Sequence, residues 1–298
     1  IRAGLPVPGG LAIASPLVDR IAGGDAGALD ELLRHAHLPD GRLAAATDTP
    51  ETNDNVVQLW DTNAGAETSR LEGHTGEVTS LCLLRDGRLA SGSSDLTIRL
   101  WDTQRGIETA CLNGHTKSVN ALAVLPDGRL VSGSDDNTIR LWDATSGVET
   151  DCLNGHTKSV NALVVLPDGR LASGSSDDTI RLWDTENDVE TARLEGHAGS
   201  IHALAVLPDG RLASGTWDGT IRLWDTTSGA VTACFAHACF VSALAVLPDG
   251  QLASGSTEDE VIRLWDTKSG AETACLEGHT SSVTAFTVLP DGRLASGS

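Results

Sequence analysis

The chain has 298 residues, and 21 lysines and arginines against 41 aspartates and glutamates give it a formal net charge of −20. Nucleic-acid binding depends on basic side chains that displace counterions, so this charge argues against DNA or RNA as a partner. No apolar run approaches the ~18 residues of a membrane span and no signal peptide is recognisable, so we expect no membrane partner. We expect a cytoplasmic location, because the cysteines read as thiols rather than disulfides, which favours a reducing compartment. The chain starts at Ile1 and contains no methionine, so we expect it to be a fragment of a larger protein.

A Trp-Asp pair recurs along the chain at a constant spacing, which indicates a repeat architecture. The tryptophans follow one another at intervals of 41 residues, at Trp60, Trp101, Trp142, Trp183, Trp224 and Trp265. In five units a Gly-His pair places its histidine fourteen residues after the tryptophan, at His74, His115, His156, His197 and His279. Seven Asp-Gly pairs, from Asp40-Gly41 to Asp291-Gly292, divide the chain into seven units.

Each unit contains the signals of four short strands. In the third unit, residues 119–125 form an apolar run closed by a Pro-Asp-Gly turn at 126–128, and residues 129–134 complete the hairpin. A second turn leads to a strand at 138–142 and to a fourth strand over Val148–Leu153. The first strand is apolar at almost every position, which a lone sheet could not bury but a ring of stacked sheets could.

The combination of Gly-His, serine, aspartate and Trp-Asp on this period resembles the WD-repeat β-propeller family, over about residues 29–298. The resemblance implies an all-β fold, and the seven units predict a seven-bladed β-propeller of four-stranded antiparallel blades within a single domain, 1–298. In chain order the expected blades are 28–71, 74–112, 115–153, 156–194, 197–235, 237–276 and, as the first half of the seventh, 279–298.

The ends of the repeat array are less regular than its middle. We expect residues 1–22 to supply the closing strands of the seventh blade, because residues 11–14 fall in the register of residues 98–101. The alternative is that the missing strands lie beyond Ser298. In the first unit Ala45 replaces the repeated serine, Gly27-Ala28 replaces Gly-His, and residues 30–35 read as a helix.

The resemblance implies a structural tetrad of histidine, serine, aspartate and tryptophan, hydrogen-bonded in series within a blade. The physical reason is independent of the family, because a buried indole N–H and a buried hydroxyl both need partners. A catalytic triad would need one exposed nucleophile, whereas the same trio recurs in four blades, which favours structure. The expected tetrads are His74, Ser91, Asp95 and Trp101; His115, Ser132, Asp136 and Trp142; His156, Ser173, Asp177 and Trp183; His197, Ser214, Asp218 and Trp224.

No cofactor and no metal are expected. His202, His237 and Cys239 match no structural zinc spacing, and no phosphate-cradling glycine loop is present. Four cysteines sit ten residues after a tryptophan and are expected to be buried thiols rather than disulfides, at Cys111, Cys152, Cys234 and Cys275.

Because the units are so alike, departures from their consensus indicate function. Trp217 is the only aromatic residue at the position before the tetrad aspartate, and His202 and Phe240 flank first strands at the same end of the ring. Exposed aromatic residues anchor interaction sites. The alternative for Phe240 is repacking around a loop that is one residue shorter in the sixth unit.

We therefore predict a non-catalytic, monomeric protein–protein interaction scaffold. Its partner, a protein or peptide of basic character, would bind the face that carries the loops into the first strands and between second and third strands. One alternative is a propeller enzyme or ligand-binding propeller that uses the central channel. Another is a purely architectural module of a multidomain regulator.

Overall fold

The computed structural model describes residues 34–47, 55–61, 64, 66–237, 239–257, 260–288 and 292–297. Within these ranges the chain forms 26 β-strands, and neighbouring strands pair antiparallel in chain order. Each four-stranded sheet is called a blade, numbered from one to six along the chain. The predicted closing strands, residues 1–22, lie outside the described residues.

The strands have four places within the blades. The innermost strands are β1 Arg34–His37, β5 Val78–Leu83, β9 Val119–Val124, β13 Val160–Val165, β17 Ile201–Val206, β21 Val241–Val246 and β25 Ala285–Val288. The second strands are β2 Arg42–Thr47, β6 Leu89–Ser93, β10 Leu130–Ser134, β14 Leu171–Ser175, β18 Leu212–Thr216, β22 Leu252–Ser256 and β26 Leu294–Gly297. The third strands are β3 Val56–Asp61, β7 Thr97–Asp102, β11 Ile139–Asp143, β15 Ile180–Asp184, β19 Thr220–Trp224 and β23 Ile262–Trp265. The outer strands are β4 Ala66–Leu71, β8 Ile107–Asn113, β12 Val148–Leu153, β16 Val189–Leu194, β20 Val231–Ala236 and β24 Glu272–Leu276.

Local turn chemistry explains where the strands begin and end. In blade 3 the Leu125 amide donates to the Arg129 carbonyl at 2.9 Å, and the Gly128 amide returns to Leu125 at 3.0 Å. Gly128 has a φ of 94°, a conformation that glycine adopts without a steric penalty. Asp127 Oδ1 accepts the Arg129 amide at 2.9 Å and fixes the turn. The predicted strands of this unit are confirmed to within one residue at each end.

The blades pack face to face, and the repeated tryptophan fills the space between two of them. Trp142 of blade 3 packs against Ala90, Leu100 and Leu112, one residue from each of three strands of blade 2. Trp183 of blade 4 stands in the same relation to blade 3. The core is therefore a series of interfaces between consecutive sheets, as ring stacking requires.

The prediction of seven four-stranded blades is wrong. The described residues contain six four-stranded blades and one two-stranded sheet, β25–β26, whose inner strand packs against β21 of blade 6 and β1 of blade 1. The Asp-Gly turn closes the hairpin between the first two strands, so counting these turns counts inner hairpins rather than whole blades. The expected helix over residues 30–35 is wrong at its end, because strand β1 begins at Arg34 and includes His35. Residues 30–33 lie outside the described residues.

Two belts of hydrogen bonds join consecutive blades at opposite ends of the ring. At the Asp-Gly end, an arginine after the turn donates to a backbone carbonyl of the next blade. The five pairs are Arg42–Thr103, Arg88–Ala144, Arg129–Thr185, Arg170–Thr226 and Arg211–Thr267. At the opposite end, the second residue of an inner strand donates to a backbone carbonyl at or just before the start of the next inner strand. These pairs are Thr79–Val119, Asn120–Val160, Asn161–Ile201 and Ser242–Val283.

The cysteine prediction is half right. None of the six cysteines, all of them described, forms a disulfide, but Cys111, Cys234 and Cys275 are exposed and Cys152 is half-buried. These four side chains lie on outer strands, where alternate residues point away from the blade interfaces. An outer strand has one neighbouring strand only, so this position does not require burial.

Candidate interaction site

The structure brings the four side chains of each predicted tetrad together. In blade 3, Trp142 Nε1 donates to Ser132 Oγ at 2.8 Å, and Ser132 Oγ lies 2.7 Å from His115 Nε2. His115 Nδ1 lies 2.9 Å from Asp136 Oδ2. A neutral imidazole with its proton on Nδ1 satisfies every contact, since the serine then donates to Nε2 and the imidazole donates to the carboxylate.

The same geometry recurs in blades 2 and 4, and blade 5 departs from it. His74 and His156 lie 2.8 and 2.9 Å from their aspartates. In blade 5, His197 Nδ1 is 3.6 Å from Asp218 Oδ2, although His197 Nε2 keeps its 2.6 Å contact with Ser214. Thr216 takes the position held by serine in the sister blades, and its hydroxyl donates to Asp218 Oδ1. Among the four predicted tetrads, that of blade 5 therefore departs most from the shared geometry.

Burial favours the neutral form of three tetrad histidines, His74, His115 and His197. It lowers the pKa of His74 and His115 even though the neighbouring carboxylates oppose the shift. For His197, burial and then the positive charge of Arg222 lower the pKa to about 4. Burial works against ionisation of Asp95, but hydrogen bonds from the Thr97 hydroxyl and the Thr75 amide outweigh it and lower its pKa to about 2. A neutral imidazole beside an ionised carboxylate is consistent with these pKa shifts and with the distances.

The tetrad serines have no access to a substrate. Ser91, Ser132, Ser173 and Ser214 are each 0% exposed. A nucleophile must meet its substrate beside an oxyanion hole, which a hydroxyl enclosed between two sheets cannot do. The recurring serine, histidine and aspartate are therefore internal hydrogen-bonding groups and not four copies of a triad.

The structure also brings His202, Trp217 and Phe240 into mutual contact, and together they are called the aromatic patch. The His202 and Trp217 ring centroids are 5.9 Å apart with the planes 25° from parallel. Phe240 stands edge-on to both rings, at 4.8 Å from His202 and 5.6 Å from Trp217. Trp217 remains 65% exposed, while His202 and Phe240 are half-buried. The patch is therefore a supported aromatic surface with one large ring open to solvent.

The aromatic patch borders the central channel. A cavity of about 670 Å³ runs between the inner strands, and His202 and Phe240 are among its lining residues. Most of the lining is alanine, leucine, serine, threonine and asparagine. Asp135, an ionisable residue of the lining, accepts a hydrogen bond from Asn120 Nδ2 at 2.7 Å.

His202 interrupts the belt of hydrogen bonds around this channel. In blade 4 the equivalent residue, Asn161, donates to the Ile201 carbonyl at 3.0 Å. His202 makes no such bond to Val241 of blade 6 and instead packs against Trp217 and Phe240. Burial lowers its pKa, so the ring is neutral at pH 7 and stacks as an uncharged aromatic group. At the seam between blades 5 and 6, aromatic contacts therefore replace a backbone-directed hydrogen bond.

Two kinds of feature are absent from the described residues. No set of three or more histidine, cysteine, aspartate or glutamate side chains is placed to hold a metal ion. No helix there has the length and apolar character needed to cross a membrane.

Comparison with known proteins identifies the repeat. The family model described as "WD domain, G-beta repeat" matches residues 65–102, 106–143, 147–184, 189–225, 229–266 and 270–298. A search of curated proteins found no match. The first matched repeat begins at the outer strand of blade 1 and ends with the third strand of blade 2, so the sequence repeat is offset from the blade by one strand. Because the six matches cover well over half of its length, the chain belongs to the WD40 repeat family.

Proposed function

We propose that this WD40 propeller is a non-catalytic scaffold that binds a protein or peptide through the aromatic patch. The observation that carries the proposal is Trp217, which is 65% exposed while its ring is held by His202 and Phe240. Large aromatic side chains that are rigidly supported and open to solvent supply contact area at a low entropic cost.

The difference in burial between the repeated tryptophans and Trp217 supports the same function. The repeated tryptophans are between 1% and 8% exposed and belong to the blade interfaces. Trp217 stands where the sister blades have Ser94, Asp135 and Ser176, so it adds nothing to the repeated core. A side chain that the fold does not need and that faces solvent is best explained by a partner.

The channel offers less support for a small-molecule site. Four of its polar side chains bond to the backbone of the next sheet, Thr79, Asn120, Asn161 and Ser242. Of the described lining residues, Ser80 and Thr284 have buried hydroxyls without a hydrogen-bond partner. A ligand site needs a few polar groups that converge on open space. Protein binding at the mouth of the channel is therefore the preferred function over chemistry inside it.

The charge of the chain adds a property of the partner. A net charge of −20 creates a negative field that accelerates the approach of a basic protein and slows an acidic one. We expect the partner to be basic overall and its association rate to fall as salt is added, because screening at ~0.15 M ionic strength limits such fields to about 8 Å.

A pull-down with the intact chain tests this function. The three baits are the wild type, Trp217→Ala and Val148→Ala, where Val148 is a comparably exposed apolar residue, at 60%, on the outer strand of another blade. Retention of one protein by the wild type and by Val148→Ala, with loss from Trp217→Ala, supports the proposal. Equal retention by all three baits overturns it and favours a purely architectural role for the patch.

A further inference from the structure

An arginine two residues before the tryptophan has a fixed carboxylate partner in four blades. Arg140 Nη1 lies 2.6 Å from Glu149 Oε2, and Arg263 Nη1 lies 2.9 Å from Glu272 Oε2. Arg99 and Glu108 of blade 2, and Arg181 and Glu190 of blade 4, form the same pair. In each case the glutamate comes from the outer strand, directly opposite the tryptophan. The fold thus has a defined place for a carboxylate beside this arginine.

Blade 5 keeps the arginine and lacks the carboxylate. Val231 pairs with Trp224 in the register in which Glu149 pairs with Trp142, so valine occupies the glutamate position. Val231 is 44% exposed, which leaves the space above it open to solvent. Among the described residues no carboxylate lies within ion-pair distance of Arg222, whose Nη1 donates to the Gly196 carbonyl instead.

The Arg222 guanidinium, which has no carboxylate partner among the described residues, changes the electrostatics of its surroundings. Arg222 is half-buried, and its positive charge is the second cause, after burial, of the lowered pKa of His197. A charge removed from water without an opposite charge carries a desolvation cost that a matching anion relieves. An arginine also offers several N–H donors in a rigid fork that fits a carboxylate.

We propose that Arg222 is a carboxylate-binding subsite, which an aspartate or glutamate side chain of the bound protein or peptide occupies. The sister blades supply the template, since there the same arginine position holds a carboxylate from the chain itself. The inference rests on the proposed function, because the carboxylate comes from the partner that binds the aromatic patch. A partner that is basic overall can carry this one acidic side chain.

The loop that leads into the first strand of blade 5, residues 195–200, connects the subsite to the aromatic patch. Arg222 donates to the carbonyl of Gly196 at the start of this loop, and the Trp217 amide donates to the carbonyl of Ser200 at 3.1 Å near its end. Ser200 is four positions beyond Gly196, so at ~3.6 Å per residue the two carbonyls lie no more than about 14 Å apart. An extended peptide covers that distance in about four residues, so one short segment can reach both places.

The substitutions on blade 5 support a single binding surface. His202 and Trp217 stand at positions that are polar and non-aromatic in the sister blades, and Val231 replaces a glutamate that those blades share. All three residues belong to blade 5, on its first strand, its loop between second and third strands, and its outer strand. Loss of the internal glutamate and gain of the aromatic residues therefore coincide. A partner that contacts Trp217 and places a carboxylate on Arg222 accounts for both changes.

Peptide selection followed by affinity measurement tests the subsite. Random twelve-residue peptides displayed on phage are selected on the intact chain, and the enriched peptides are measured by calorimetry against four proteins. These are the wild type, Trp217→Ala, Val231→Glu and Val231→Gln. Val231→Glu restores the internal carboxylate and blocks Arg222, while Val231→Gln adds the same bulk without charge.

The expected peptides carry an aspartate or glutamate within about six residues of an apolar anchor. Val231→Glu should weaken their binding at least tenfold and Val231→Gln less than threefold, with an unchanged melting temperature. Replacing the peptide carboxylate by its amide should weaken binding to the wild type and have no effect on Val231→Glu. Such coupling identifies the contact.

Two results separate failure of the subsite from failure of the proposed function. If Trp217→Ala abolishes binding while Val231→Glu binds as the wild type does, the subsite is wrong and the aromatic patch stands. If the selected peptides bind Trp217→Ala and the wild type equally, the proposed function fails, and the subsite fails with it.

Discussion

Trp142 and Ser132 form a buried hydrogen bond of 2.8 Å between the indole Nε1 and the hydroxyl oxygen, with 1% and 0% of these residues exposed. The bond joins the third strand of blade 3 to the second and continues through His115 to Asp136. It combines the large apolar surface of a tryptophan with a satisfied polar chain, so the two residues stabilise the blade in different ways.

Removing the indole should destabilise the chain strongly. Trp142→Ala deletes a side chain that packs against Leu100 and Leu112 of the preceding blade, and such large-to-small changes cost about 3–5 kcal/mol. The free energy of unfolding in urea measures the loss. A loss below about 1 kcal/mol would mean that the interface between blades 2 and 3 does not depend on this residue.

Removing the serine hydroxyl should also destabilise the chain, although it creates little empty volume. Ser132→Ala leaves the Trp142 N–H and His115 Nε2 without partners, and each unsatisfied buried group costs about 1–3 kcal/mol. Ser146→Ala, in an exposed turn of the same blade, is the matched control. Equal unfolding free energies for the two variants would contradict the hydrogen-bonded role of the tetrad.

Stability should fall as the pH is lowered from 6.5 towards 4. The pKa of His197 is about 4 in the folded chain, against about 6.5 when exposed, so the unfolded chain binds a proton in this window and the folded chain does not. His74 and His115, whose pKa values burial also lowers, act in the same direction. Ionisation of Asp95, with its pKa of about 2, contributes stability that is lost only below about pH 4.

Urea unfolding at pH 7.5, 6 and 5 measures this slope above the range in which most carboxylates titrate. High salt screens the repulsion among surface charges but not a change inside the tetrad, so the slope should persist in salt. An unfolding free energy that is constant or rises between pH 6.5 and pH 5 would contradict the neutral, buried histidines.

Restoring the missing hydrogen bond between blades 5 and 6 should raise the stability of the chain and weaken peptide binding. His202→Asn gives blade 5 the residue that in blade 4 donates to the Ile201 carbonyl, and a new bond to Val241 should add about 0.5–1.5 kcal/mol. The same change removes the ring that supports Trp217 and Phe240. Thermal melting and peptide affinity are measured together, with Asn161→Ala as the converse control. A variant that is no more stable and binds normally would contradict the assigned roles of His202.

The strands could be predicted because their signals are local. The turn at Asp127 and Gly128 and the apolar run before it lie within ten residues of each other, and the observed strands agree with the predicted ones. The number of blades could not be read in this way. A blade is complete only when its third and outer strands are present, and the turn at Gly292 is followed by β26 alone within the described residues.

The contacts between blades could not be predicted, because they join residues that are far apart in the sequence. Arg129 follows its turn in the same way as its counterparts, yet its guanidinium reaches the carbonyl of Thr185, 56 residues away along the chain. A recurring arginine was a visible signal, but its acceptor is defined only once the blades are stacked. Val231 was visible as well, as a departure from the glutamate of the sister units, and it became meaningful only when the partner of Arg140 was known.

The location of the aromatic patch could be predicted from the sequence, but its side-chain contacts could not. Aligning the units was enough to put Trp217, His202 and Phe240 at one end of the ring, because equivalent positions in a repeat have equivalent locations. The 5.9 Å stacking of His202 on Trp217 was not predictable, since it depends on side-chain orientation across a seam between blades. The binding role of the three residues stays a prediction.

We infer that the repeated side chains hold this propeller together and that the departures on blade 5 face a partner. Comparing the unfolding free energy of Trp217→Ala with that of the wild type tests it most directly, since Trp217 is 65% exposed and Trp142 only 1%. A change within about 0.5 kcal/mol, as for ordinary surface substitutions, is the expected result. A loss of about 3 kcal/mol or more, comparable with a buried aromatic residue, would show that Trp217 belongs to the core and would contradict the claim.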